Sequence, residues 1–218
     1  MAMEKTFLSI STFSFSLSLL LLLVGTSFPG RAAEPDRTQD AVKDINGNIV
    51  KSGEIYLMYT PDGNFPIIYS TNGESVCPSF VAADLSGRVA YPLRIHLADP
   101  GETTVRLNTS VSFQFNDTIS CVNSTVWQVA PVSQNGNVQR LVTLNGAQGS
   151  PGCNTALTWF KLIKDPRDAY NIVFDSSEVC NIPMQRYLVA TGTTIENEAQ
   201  LLQLVNTAPI RVLFQSAD

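Results

Sequence analysis

Pairs of residues that favour turns interrupt this chain again and again. They include Asn46-Gly47, Asp62-Gly63-Asn64, Asn72-Gly73, Pro100-Gly101, Asn135-Gly136-Asn137, Asn145-Gly146 and Ser150-Pro151-Gly152. Between them lie short runs that alternate or concentrate apolar residues. Examples are Ile55-Tyr56-Leu57-Met58-Tyr59, Val111-Ser112-Phe113-Gln114-Phe115, Thr125-Val126-Trp127-Gln128-Val129, Leu141-Val142-Thr143-Leu144, Tyr170-Asn171-Ile172-Val173-Phe174 and Ile210-Arg211-Val212-Leu213-Phe214. Such runs have the length and period of half-buried strands. The stretch Glu196–Val205 holds no clean 3.6-residue period, so Leu201–Val205 is read as a strand as well. Turn signals at roughly 8–12-residue spacing fit a sandwich or barrel, and no Pro-, Ser- or charge-rich linker divides the chain. One all-β domain is the expectation.

The N-terminus is set apart from that pattern. Lys5 precedes the apolar run Phe13–Val24, which is too short to span a hydrocarbon core needing about 20 residues. Small residues follow at Gly25-Thr26-Ser27 and Gly30-Arg31-Ala32, and the second is the expected cleavage site. Residues 1–32 are therefore read as a signal peptide, with a signal anchor as the alternative. The mature domain would be residues 33–218, a secreted or extracellular protein with the vacuole as alternative destination. Three glycosylation sequons, at Asn108, Asn116 and Asn123, agree with that route, although a sequon held in a strand would stay unmodified. Four cysteines, all beyond the leader, suit an oxidising compartment.

Composition excludes several functions. Charged residues make up 15% of the chain and the net charge is −5, which gives nucleic acid no basic surface to bind. The single histidine, His96, leaves little for multi-histidine metal sites or Ser-His-Asp chemistry. No serine has a Gly-x-Ser-x-Gly context, and no Cys-x-x-Cys spacing exists for zinc. Neither an enzyme nor a cofactor or metal protein is expected.

The run Val42-Lys43-Asp44-Ile45-Asn46-Gly47-Asn48-Ile49-Val50, followed by Tyr56-Leu57-Met58, resembles the opening signature of plant Kunitz-type inhibitors of the soybean trypsin inhibitor class. Cys77-Pro78, Ser124-Thr125-Val126-Trp127, Gly149-Ser150-Pro151-Gly152, Trp159-Phe160-Lys161, Tyr170–Phe174 and Pro209–Phe214 extend the likeness over nearly all of Val42–Gln215. The sequence is most similar to the miraculin-like branch. The resemblance implies a β-trefoil of twelve short strands in three pseudo-repeats, six closing a barrel and six capping it. Within the signature, Asp44, Asn46, Gly47 and Tyr56 are read as structural. The two polar side chains would fix the turn, Gly47 would supply positive φ, and Tyr56 would pack.

The resemblance also implies a bridge Cys77–Cys121. The family's second bridge starts just after the Tyr-x-Ile-Val-Phe strand, where this chain has Asp175; Cys180 fits the other end and Cys153 lies in the Ser-Pro-Gly turn. A rewired bridge Cys153–Cys180 is expected, other pairings being open. For activity, the resemblance implies an exposed inhibitory loop. Two registers compete for it. The favoured one places the loop at Ala98, Asp99, Pro100, Gly101, Glu102 and Thr103, with Gly101 at the primary position. The alternative takes Arg94–Ile95 as the reactive bond. Ser52 stands where the family has an asparagine that braces the loop, and its shorter hydroxyl is expected to brace less well.

A monomeric inhibitor of an endopeptidase, weak or altered against trypsin, is the function implied. A serine protease is the expected partner and a cysteine protease the alternative, with no nucleic acid and no membrane. The rival is a non-inhibitory defence, storage or ligand-binding protein on the same scaffold. Against two such ligands, the Gln-x-Trp signature of ricin-like lectins is missing at Trp127 and Trp159. The loop motif of water-soluble chlorophyll proteins is likewise replaced by Val76-Cys77-Pro78-Ser79-Phe80-Val81.

Overall fold

Leu93, Ile95 and Leu97 point one way along their strand while Arg94 and His96 point the other. Across from them Val111, Phe113 and Phe115 alternate with Ser112 and Gln114. This period of two buries one face of each strand and leaves the other for solvent or covering loops. The computed structural model describes residues 41–71, 73, 75–130, 140–181, 186–195 and 198–217. The leader read at residues 1–32, Asn72, and the turn Asn135-Gly136-Asn137 lie outside the described residues.

Among the described residues, twelve strands follow in order: β1 Ile55–Tyr59, β2 Ile67–Ser70, β3 Phe80–Asp84, β4 Leu93–Leu97, β5 Ser110–Phe115 and β6 Gln128–Val129, then β7 Val142–Thr143, β8 Phe160–Lys164, β9 Tyr170–Phe174, β10 Tyr187–Ile195, β11 Ala199–Val205 and β12 Arg211–Ser216. Every strand pairing is antiparallel. Strands β1, β4, β5, β8, β9 and β12 pair in sequence, and β12 returns to β1, so these six close a barrel. The other six form the hairpins β2–β3, β6–β7 and β10–β11, joined through β3 to β7 and β11. Each consecutive set of four strands thus gives two to the barrel and two to a hairpin, which is the trefoil arrangement.

The larger of two apolar clusters has Met58, Ile95, Phe113, Phe115, Trp127, Phe160, Phe174 and Phe214 among its fully or nearly fully buried members, and Ile68, Ala82, Ala199 and Leu201 form the smaller one. Phe113 packs against Trp127 and Phe160 at ring-centroid distances of 5.0 and 5.9 Å. In the opening turn, the Asp44 carboxylate accepts the backbone amides of Asn46 and Asn48 at 2.9 and 2.8 Å, and Gly47 takes φ 85°. The side-chain partner of Asp44 is Asn48 rather than Asn46, because residue 48 is the one folded back over the carboxylate. Tyr56 is buried, and its hydroxyl accepts the Lys51 amide while donating to Glu54.

Two expected strands are shorter than their apolar runs. Val126 makes only an isolated bridge to Gln114, and β6 and β7 are two residues each. A 3-10 helix, Cys153–Thr158, has no counterpart in the sequence reading. It is held by side-chain bonds that periodicity does not report: the Thr155 hydroxyl donates to the Ser150 and Gly152 carbonyls and accepts the Trp159 indole N–H.

Cys77 is bonded to Cys121, and Cys153 to Cys180, with no free cysteine. Loops of this size, 44 and 27 residues in separation, correspond to roughly 3–4 kcal/mol each by loop-closure entropy. Asp175, at the position where the family has a cysteine, instead pairs with the nearly buried Lys161 at 3.4 Å, and Lys161 also reaches Glu178 at 3.2 Å. Burial pushes the Asp175 carboxyl up, but the Ser177 hydrogen bonds and Lys161 outweigh it and hold it below its ordinary value.

Candidate functional site

Beyond Leu97 the chain leaves the barrel, and residues 98–103 form a loop that builds most of its own support. The Gly101 amide donates to the Asp99 carboxylate at 2.9 Å, and the Glu102 amide donates to the Asp99 carbonyl at 3.3 Å. Asp99-Pro100-Gly101-Glu102 is therefore a closed turn with proline second, where the ring fixes φ in advance. Its Asp99, Pro100 and Gly101 are exposed, as is Thr103, while Ala98 and Glu102 are half-buried.

Both flanks of the loop are tied to the segment before β1. The Ser52 amide donates to the Thr103 carbonyl at 2.8 Å, and the Ser52 hydroxyl donates to the Ile95 carbonyl at 3.1 Å. The Gly53 amide donates a second bond, from the backbone, to that carbonyl at 3.0 Å. Ser52 thus holds the feet of the loop and does not touch Pro100 or Gly101 through a hydrogen bond.

Glu102 braces the descending limb. One carboxylate oxygen accepts the Thr103 and Thr104 amides, both at 2.9 Å, and the other accepts Arg106 Nε at 3.2 Å. The two backbone amides and the Arg106 guanidinium hold the Glu102 carboxyl down at about 2. A carboxyl lowered on folding contributes order that is complete above its ordinary value of 4.5 and is lost as pH falls through about 2. The Thr103 and Thr104 amide resonances are accordingly expected to titrate with a midpoint near 2, and Glu102→Ala should speed their hydrogen exchange about tenfold at neutral pH. Unchanged exchange in that variant would remove Glu102 from the support of the loop.

Arg94 is placed quite differently. Its backbone lies in β4, opposite Ile55 of β1 on one side and Gln114 of β5 on the other. The guanidinium donates to Asn116 Oδ1 at 3.1 Å and to the Gly53 carbonyl. The Arg94–Ile95 peptide bond is inside a three-strand ladder, and a protease could reach it only by unpairing β4. His96, at the end of the same strand, bonds Gln114 Oε1 through Nε2 at 3.0 Å.

Asn108, Asn116 and Asn123 are all exposed and lie in turns or bends outside the strands. Asn108 adopts φ 60°. Beside the loop opens a cleft of about 480 Å3, which the sequence reading missed. Its lining includes His96–Ala98, Pro100 and Ala147–Pro151, with Ser112, Gln114, Val126, Thr158 and Trp159 between. Just before the covering segment, Gly146 is packed so closely that a Cβ there would sit 2.7 Å from the Trp127 carbonyl oxygen. The alternation of His96, Ser112 and Gln114 was a legible signal of a polar outer face, but the loop that covers it is distant in sequence. No group of three or more His, Cys, Asp or Glu residues is arranged to hold a metal among the described residues.

The chain is 30% identical over 168 residues to miraculin of Synsepalum dulcificum, covering 73% of each chain. It is 25% identical to Kunitz trypsin inhibitor 5 of Arabidopsis thaliana, over 93% of this chain and 98% of that one. Among solved structures it is similar to the Kunitz-type cysteine protease inhibitor from potato, with a TM-score of 0.68 and 27% identity. That match covers 82% of this chain and 97% of the potato protein. The legume Kunitz family, described as trypsin and protease inhibitor, matches residues 42–216. With the closed six-strand barrel, three hairpins and exposed braced loop, that match makes the chain a member of the Kunitz-type protease inhibitor family.

Proposed function

We propose that the domain at residues 33–218, released from its leader, is a secreted, monomeric endopeptidase inhibitor that presents Ala98–Thr103 to its target and binds trypsin weakly. The observation that carries this reading is the loop itself. Asp99, Pro100 and Gly101 are exposed, yet the turn is closed by its own backbone and side-chain bonds and Ser52 holds both feet. A loop ordered before binding loses little further entropy when a protease closes on it. The location of Arg94 inside the β4 ladder favours this register over a reactive bond at Arg94–Ile95.

Weakness against trypsin follows from the chemistry of the turn. Gly101 offers no side chain for a primary pocket, and Asp99 adds negative charge beside it. A pocket with an acid at its base would gain no ion pair and would face a like charge. The two disulfides and three exposed sequons support an oxidising, secretory route, and the sequons are sites for N-linked glycans.

The bare crest also favours a second reading, a non-inhibitory defence, storage or ligand-binding protein on the same scaffold. Inhibition constants of the disulfide-intact domain against trypsin, chymotrypsin, subtilisin and papain separate the two. Inhibition of at least one of them, with trypsin among the weakest, is expected. No inhibition of any at micromolar concentration would overturn the inhibitor reading in favour of the second.

A further inference from the structure

We propose that the cleft between residues 96–100 and 147–151 is a binding site for a small, neutral, hydroxylated aromatic molecule. It does not depend on whether the loop inhibits a protease. At about 480 Å3 the cleft lies within the usual size range of ligand sites. Its wall on the barrel side is polar. Ser112 stands directly opposite His96 across the β4–β5 ladder, and Gln114 is on the same face two residues along.

These groups have unused hydrogen-bonding capacity. Ser112 lines the cleft with only 6% of its surface exposed. The His96–Gln114 bond uses one imidazole nitrogen and the amide oxygen, leaving the other ring nitrogen and the amide Nε2 without a partner among the described residues. A ligand that pairs these groups exchanges hydrogen bonds to solvent for hydrogen bonds to the protein, a modest gain per bond.

The remaining lining selects the class. No charged side chain lines the cleft among the described residues, so an ion would lose water without meeting a counter-charge. Leu97, Ala98, Pro100, Pro151 and Trp159 also line the cleft and add apolar surface, and the polar Gln148 and Ser150 of the covering loop are exposed. A flat ring with hydroxyl or carbonyl groups at its edge matches a lining that combines the polar Ser112, His96 and Gln114 with apolar side chains. A polyol, with hydroxyls all round, would press several of them against Pro100 and Pro151.

The test is an NMR titration of the disulfide-intact domain with 4-hydroxyacetophenone, acetophenone and methyl β-D-glucopyranoside. Saturable shifts of the Trp159 indole N–H and Ala98 amide are expected with 4-hydroxyacetophenone, at an affinity of about 1 mM for so small a probe. Ser112→Ala should weaken that probe about three- to tenfold while leaving acetophenone unchanged. Ala147→Trp, at an exposed position of the cleft wall, should abolish the shifts by filling the space. Absence of saturable binding, or binding that survives Ala147→Trp, overturns the proposal. Tighter binding of the glucoside than of 4-hydroxyacetophenone overturns the ligand class.

Discussion

Gly101→Arg is expected to strengthen trypsin inhibition at least about fivefold, read as the inhibition constant of the disulfide-intact domain. The backbone at Gly101 is not in the left-handed region, so an L-residue is allowed there. A Cβ would meet only Asp99 Oδ1, at 3.3 Å, which a small side-chain rotation relieves. A buried, hydrogen-bonded charge pair at an interface is worth roughly 2–5 kcal/mol when one partner is removed. Opening the Asp99–Glu102 turn to admit the protease would cost about 1 kcal/mol for its single 3.3 Å backbone bond. The difference, about 1–4 kcal/mol, leaves a gain of about fivefold or more. Arg94→Ala is the companion measurement. It should leave trypsin inhibition unchanged, since Arg94 reaches Asn116 and Gly53 rather than solvent around the loop. Inhibition abolished by Arg94→Ala and unmoved by Gly101→Arg would reverse the register.

Phe113→Ala should lower the unfolding free energy by roughly 3–5 kcal/mol, measured by denaturant titration with both disulfides intact. Phe113 is fully buried, and its ring lies between Trp127 and Phe160. Its strand, β5, is hydrogen-bonded to β4 and β8 inside a closed ring. A closed barrel cannot collapse into the hole by moving one strand without breaking a ladder, so the cavity term adds to the lost transfer energy. Total stabilities of domains are about 5–15 kcal/mol, and such a loss would unfold a marginal domain. A change below about 1 kcal/mol would mean that Phe113 does not hold the barrel to its cap.

The strands were legible wherever the local pattern and the ladder agree. Ile55–Tyr59 and Tyr170–Phe174 are strands over the same residues that their runs suggested, and Leu201–Val205 falls within β11. The run Thr125–Val129 was less informative. Trp127 is buried there by the aromatic cluster rather than by a long ladder, and only Gln128–Val129 pairs regularly. The loop was legible through Asp99-Pro100-Gly101, whose turn chemistry is local. Its brace by Glu102 depends on carboxylate bonds to Thr103, Thr104 and Arg106, which the spacing alone did not announce.

Alternating runs, turn pairs and the opening motif Val42–Val50 determined an all-β chain of the Kunitz-type family with a candidate loop near Gly101. Those features act over a few residues, so they survive in a one-dimensional reading. The meeting of Lys161 with Asp175 and the cleft between residues 96–100 and 147–151 were decided only by the tertiary structure. Each joins segments far apart in sequence. Their pairing is set by how the barrel and its three hairpins pack together, and no local propensity encodes that.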